Sequence, residues 1–184
     1  MTKQIAAHRL DVRAFAQANS RLQGAEPLER FARVLEVSAA GVAHGLVHWS
    51  AQGEVRVDQT GQSQYWLRLL ADAEVTQTCQ RCLAPIQVPV HVDRWFRFVA
   101  DEATATAQDE ICEEDILALE PDFSLHELIQ DELLLELPYI PRHEVCPDAA
   151  PMSAADPGFE EPTVRPNPFA ALAGLKAPKG GGTG

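Results

Sequence analysis

Residues 65–98 read YWLRLLADAEVTQTCQRCLAPIQVPVHVDRWFRF, and they decide the fold. Tyr65, Leu67, Leu69, Ala71, Ala73 and Val75 recur at every second position, with Trp66, Arg68, Asp72, Glu74 and Thr76 between them. That alternation marks a half-buried strand. It halts at Cys79-Gln80-Arg81-Cys82 and resumes through Ile86, Val88, Val90, Val92, Phe96 and Phe98. Two long alternating runs with a short polar connection form an antiparallel hairpin, and Cys79-x-x-Cys82 falls at its tip. Pro85 and Pro89 offer no N–H to a neighbour, which places the start of the return strand at a sheet edge.

The second decisive stretch is residues 124–146, SLHELIQDELLLELPYIPRHEVC. Ser124-x-x-Glu127 fits a capping box. Leu125, Leu128, Ile129 and Leu133 to Leu135 supply an apolar helix face. Pro138 ends the helix, because the residue before a proline is pushed out of helical geometry. An extended exit then delivers His143 and Cys146.

Working outward, Asp11 caps a short helix through Val12, Phe15 and Ala18. Residues 20–27 read as a loop around Gly24 and Pro27. Phe31 to Ala39 fits either a strand or the end of a short helix. Residues 45–58 look like a hairpin turning at Ser50-Ala51-Gln52-Gly53. Residues 101–114 are acidic, aperiodic and read as a mobile loop, and Ile116 to Leu119 as a short strand. The predicted fold is α+β: one domain over residues 1–146, an antiparallel sheet with the long hairpin, and the Ser124 helix packed on it. Residues 147–184 hold seven prolines and a Gly-rich end, the composition of a disordered tail. Within it, residues 167–176 form a short motif in which Asn167 caps, Pro168 starts a turn of helix, and Phe169 and Leu172 share a face.

The chain has 184 residues, is 46% hydrophobic and carries a net charge of −12. From Asp101 to Glu161 there are 18 acidic residues and only Arg142 on the basic side. Phosphate binding needs clustered Lys or Arg, so the field favours a basic protein surface as partner; solubility alone is the competing explanation. No run approaches a membrane helix, and the first residues lack the apolar core of a signal peptide. A cytoplasmic location is therefore expected, with no membrane and no small-molecule substrate. In that compartment the four cysteines are not expected to form disulfides.

Cys79 and Cys82 make half of a zinc site, and His143 and Cys146 would complete a Cys₃His set. Two unligated thiols in a tight turn remain the alternative. A redox Cys-x-x-Cys normally opens a helix, whereas Leu83-Ala84-Pro85 leads into a strand. Cys112 reads as a surface thiol. Arg68, Arg94 and Arg97 read as solvated, while Arg81 projects from the tip toward a partner or RNA. No carboxylate spacing or nucleophile–histidine pair suggests catalysis.

Three segments together, Cys79–Leu83 (CQRCL), Glu127–Cys146 and Asn167–Lys176 (NPFAALAGLK), resemble the bacterial YceD family, the large ribosomal RNA subunit accumulation proteins. The resemblance implies a non-enzymatic role in synthesis, processing or stability of 23S rRNA. With the acidic charge, it points to action through a basic ribosomal protein or an rRNA assembly or processing factor, contacted by Arg81 or by Asn167, Pro168, Phe169 and Leu172. The alternative is a zinc-dependent module that contacts rRNA directly.

Overall fold

The computed structural model describes residues 9–39, 44–109, 111–147 and 169. Five strands form one sheet in the order β1-β2-β3-β4-β5. They are β1 (Arg21–Pro27), β2 (Leu46–Val57), β3 (Ser63–Thr78), β4 (Pro85–Val99) and β5 (Asp115–Ala118). Around them lie α1 (Val12–Gln17), a 3₁₀ turn at Leu28–Arg30, α2 (Ala32–Glu36), α3 (Glu102–Asp109) and α4 (Leu125–Leu135). These elements lie within a compact unit, Met1–Ala149; of a second unit, Ala150–Gly184, only Phe169 is described, and it is exposed. Apart from Phe169, the expected motif at 167–176 and most of the 147–184 tail therefore lie outside the described residues.

The long hairpin is the centre of the sheet. Tyr65 pairs with Phe98, Leu69 with Arg94, and Thr78 with Pro85. Beyond β4, among the described residues, only Phe96 to Val99 gain a further strand partner, so Pro85 and Pro89 sit where no ladder bond to a described outer strand is demanded of them. The sheet is mixed rather than wholly antiparallel: β5 runs parallel to β4. A parallel neighbour requires the chain to travel back before pairing. That return explains why residues 101–114, expected as a mobile loop, contain α3. Asp101 caps it by accepting from the Thr104 N–H at 2.8 Å, and Ala105 is buried.

Two further expectations are corrected, both through glycine. Residues 50–53 are not a turn, because β2 runs unbroken through them. Gly53 is small because α1 crosses it: a Cβ there would lie 2.7 Å from Phe15 Cδ1 and 2.8 Å from Ala16 Cα. The real turn follows at Asp58, whose carboxylate accepts from the Thr60 and Gln62 N–H groups. Likewise, of the residues 20–27 expected as a loop, Arg21–Pro27 form strand β1. Gly24 lies under the Trp49 indole, where a Cβ would come within 2.7 Å of the ring. Residues 32–36 resolve as helix.

One face of the sheet carries the core. Leu67, Leu69, Ala71, Val75 and Val92 meet Leu28, Phe31 and Val34 and the inward face of α4 in a single apolar cluster. Ser124 caps α4, its hydroxyl accepting from the Glu127 N–H at 3.3 Å. Leu125, Ile129 and Leu133 are fully buried, but Leu134 only partly and Leu135 is 67% exposed. The core stripe thus follows the 125-129-133 spacing, one residue away from the centre of the expected Leu133–Leu135 cluster. Arg94 fastens the helix end to the sheet, reaching Glu132 at 3.1 Å, Glu136 at 3.2 Å and Asp115 at 3.4 Å. Although still part-exposed, it is thus an ion-paired residue rather than a purely solvated one.

On the opposite face Arg56 lies over both Trp66 and Trp95, 4.3 and 4.0 Å from their rings. Arg68 grips Asp93 with two hydrogen bonds of 2.8 Å.

Candidate metal centre

At the hairpin tip six residues, Cys79 to Ala84, connect β3 to β4. The Cys79 N–H donates to the Ala84 carbonyl and the Leu83 N–H to the Cys79 carbonyl, both at 2.9 Å. This closes a tight loop that turns both cysteine side chains to one side. Leu83 adopts a left-handed backbone, φ 61°, a conformation that costs a residue with a Cβ roughly 1–2 kcal/mol.

The exit of α4 meets this loop from across the sequence. The Gln80 N–H donates to the Pro141 carbonyl at 2.8 Å. His143 and Cys146 thereby arrive beside the two hairpin cysteines, and one ligand atom from each of Cys79, Cys82, His143 and Cys146 lies within 4.8 Å of the others. Cys79 and Cys146 Sγ are 3.9 Å apart, and Cys82 Sγ is 3.4 Å from His143 Nδ1. A tetrahedral ion with metal–sulfur bonds of about 2.3 Å and metal–nitrogen bonds of about 2.0 Å separates its ligands by roughly 3.5–3.8 Å. The four atoms stand near that spacing. Among the described residues no other group of this kind converges.

The surroundings suit an ion as well. His143 Nε2 lies 3.2 Å from the Pro85 carbonyl. A proton on Nε2 donating there leaves the Nδ1 lone pair aimed at the thiols, the orienting contact expected behind a ligating imidazole. Cys79 is fully buried. Burial pushes its thiol up, but the backbone N–H groups of Cys82, Arg81 and His143 and the Cys82 side chain outweigh this and hold it at about 5. Cys82 is shifted up: the Ala84 N–H pulls it down, but burial and the Cys146 and Cys79 side chains prevail. A buried thiolate beside two more sulfurs and an imidazole is a donor set that a soft cation neutralises. These four residues can hold a metal ion.

Arg81 is exposed at the tip, yet its guanidinium turns back. It donates to the His143 carbonyl at 2.6 Å, the Glu144 carbonyl at 3.1 Å and Cys146 Sγ at 3.0 Å. The sequence suggested an outward arginine; the structure makes it a brace that holds the His143–Cys146 segment. Only the register of the exit segment reveals this. Arg97 reaches Cys112 Sγ at 3.3 Å, so Arg68, Arg81, Arg94 and Arg97 all have partners within the protein. Cys112 is half-buried and stands apart from the cluster. The expected contact residues Asn167, Pro168 and Leu172 lie outside the described residues.

A mixed five-stranded sheet whose longest hairpin ends in a Cys₃His cluster, closed by the exit of a core helix, defines the class: an α+β protein whose hairpin tip carries four residues that could hold a metal ion. Residues 67–176 match the family described as Large ribosomal RNA subunit accumulation protein YceD. This span contains the tip, α4 and its exit, and the chain belongs to the YceD family. It is 33% identical over 105 residues to the Large ribosomal RNA subunit accumulation protein YceD of Haemophilus influenzae, covering 56% of this chain and 60% of that relative. No solved structure matches.

Proposed function

We propose that this chain is a non-enzymatic ribosome biogenesis factor. It supports the synthesis, processing or stability of 23S rRNA in the cytoplasm by docking a basic ribosomal protein or assembly factor. The observation that carries this is the family membership across residues 67–176. The charge supports the route through a protein: 27 acidic residues face 15 basic ones, and four arginines near the hairpin already have intramolecular partners. Direct rRNA contact through Arg81 would require breaking its three contacts with the exit segment.

Within that role, a Zn²⁺ ion held by Cys79, Cys82, His143 and Cys146 is structural. Four protein ligands leave no open position for substrate water. Zinc suits a tetrahedral sulfur–nitrogen donor set. Bound there, it would join the hairpin tip to the α4 exit.

The test is a strain lacking this chain, in which the ratio of mature 23S to 16S rRNA is measured. A drop restored by the wild-type chain, and restored poorly by Cys79→Ser, is expected. An unchanged ratio in the deletion strain would refute the role.

A further inference from the structure

Leu83 occupies a left-handed position immediately after the second tip cysteine, where glycine would fit without strain. Its side chain is 73% exposed, so it serves no core. The Leu83 backbone closes the tip loop through its N–H to the Cys79 carbonyl, but its exposed side chain is absent from the apolar core. Three more apolar side chains flank the same cluster: Tyr139, Ile140 and Val145, with Tyr139 almost wholly exposed. Ile140 also borders a groove of about 220 Å³ that runs with Ile86, Val88 and Pro138 along the β4 edge that has no outer strand among the described residues. Groups of exposed apolar residues mark interaction surfaces.

The apolar patch and the net charge of the whole chain, rather than charges at the patch itself, select the occupant. Arg81 is turned inward on the exit segment, which leaves Arg142, on the lining of the groove, as the outward base beside Glu144. Phosphate recognition needs several. The chain as a whole is strongly acidic, most of all in the residues from Asp101 onward. We infer that the metal-binding tip is the docking surface for a basic protein that presents apolar side chains, with Leu83 and Tyr139 as anchors and the β4 groove as the receiving pocket. The inference rests on the proposed function above and assigns that partner its site.

Leu83→Gly separates a docking role from a folding role. It removes the anchor and also relieves the backbone, so Tm should stay within about 3 °C of wild type. Full-length chain, wild type or variant, is titrated with individually purified basic proteins stripped from large ribosomal subunits. At least one should bind wild type saturably. Leu83→Gly and Tyr139→Ala should each weaken it tenfold or more, while Arg56→Ala, on the outer face of the sheet, should bind as wild type does. If a basic protein binds but ignores both tip variants, the surface assignment falls and the proposed function stands. If none of these proteins binds, the docking assignment falls with the ribosomal-protein route, while the rRNA role is decided by the 23S to 16S ratio. The assignment is also overturned if Leu83→Gly abolishes self-association of the chain, or binding to a 23S rRNA fragment, in place of binding to a basic protein.

Discussion

The two ends of the β3–β4 hairpin are stabilised by different physics. At the base, Leu67, Leu69 and Phe96 are buried against the apolar cluster that includes Leu133 of α4. Burial there contributes roughly 25 cal/mol per Å² of apolar surface and needs no added component. At the tip, Cys79 is buried but Leu83, Tyr139 and Val145 face water. Thiols, an imidazole and backbone hydrogen bonds replace apolar packing, and three sulfurs gather where one is held as thiolate. The base is self-sufficient, whereas the tip gathers a donor set that could hold a cation.

The largest effect should come from the base. Leu133→Asp places a carboxylate in a fully buried site, an expense of several kcal/mol against a total stability of about 5–15 kcal/mol. The variant should lose cooperative unfolding by circular dichroism; a folded, soluble Leu133→Asp protein would show that α4 is not the core helix.

Metal removal should act at the tip alone. Chelation is expected to speed amide hydrogen exchange at Gln80 and Leu83, whose N–H groups donate to Pro141 and Cys79, with protection retained at Leu69 and Val92. Global loss of protection would mean that the two ends are one cooperative unit.

The smallest effect concerns the join between them. Burial pushes the Glu132 carboxyl up, against the pull of Arg94. A raised folded pKa means that stability is complete below the unfolded carboxylate range, near pH 4, and is lost as pH rises through the folded value. Glu132→Gln removes that loss, and Arg94 keeps Glu136 and Asp115. Its Tm should match or exceed wild type at pH 7, with a flatter profile from pH 4 to 7; a clear fall in Tm at pH 7 would make the Arg94 pair a net stabiliser.

The sequence discloses these two ends unequally. Strand alternation in residues 65–98 and the Ser124 cap are local signals, and both elements are legible with their ends nearly correct. β1 and β2 were obscured because Gly24 and Gly53 look like turn residues, while their smallness answers to Trp49 and α1. α3 was hidden because its need arises from the parallel pairing of β5, a property of topology. At the site, Cys79, Cys82, His143 and Cys146 are legible as donor types. Their convergence depends on the Gln80–Pro141 hydrogen bond, and the inward turn of Arg81 depends on the register of residues 143–146; neither is encoded by spacing.

The most direct test of the account is the zinc content of the full chain, purified without added metal and measured together with native thiol reactivity. About one zinc per chain is expected, with Cys79, Cys82 and Cys146 unreactive until a chelator is added, and with zinc lost in Cys82→Ser. A folded chain without bound metal, whose tip thiols react freely, would contradict it.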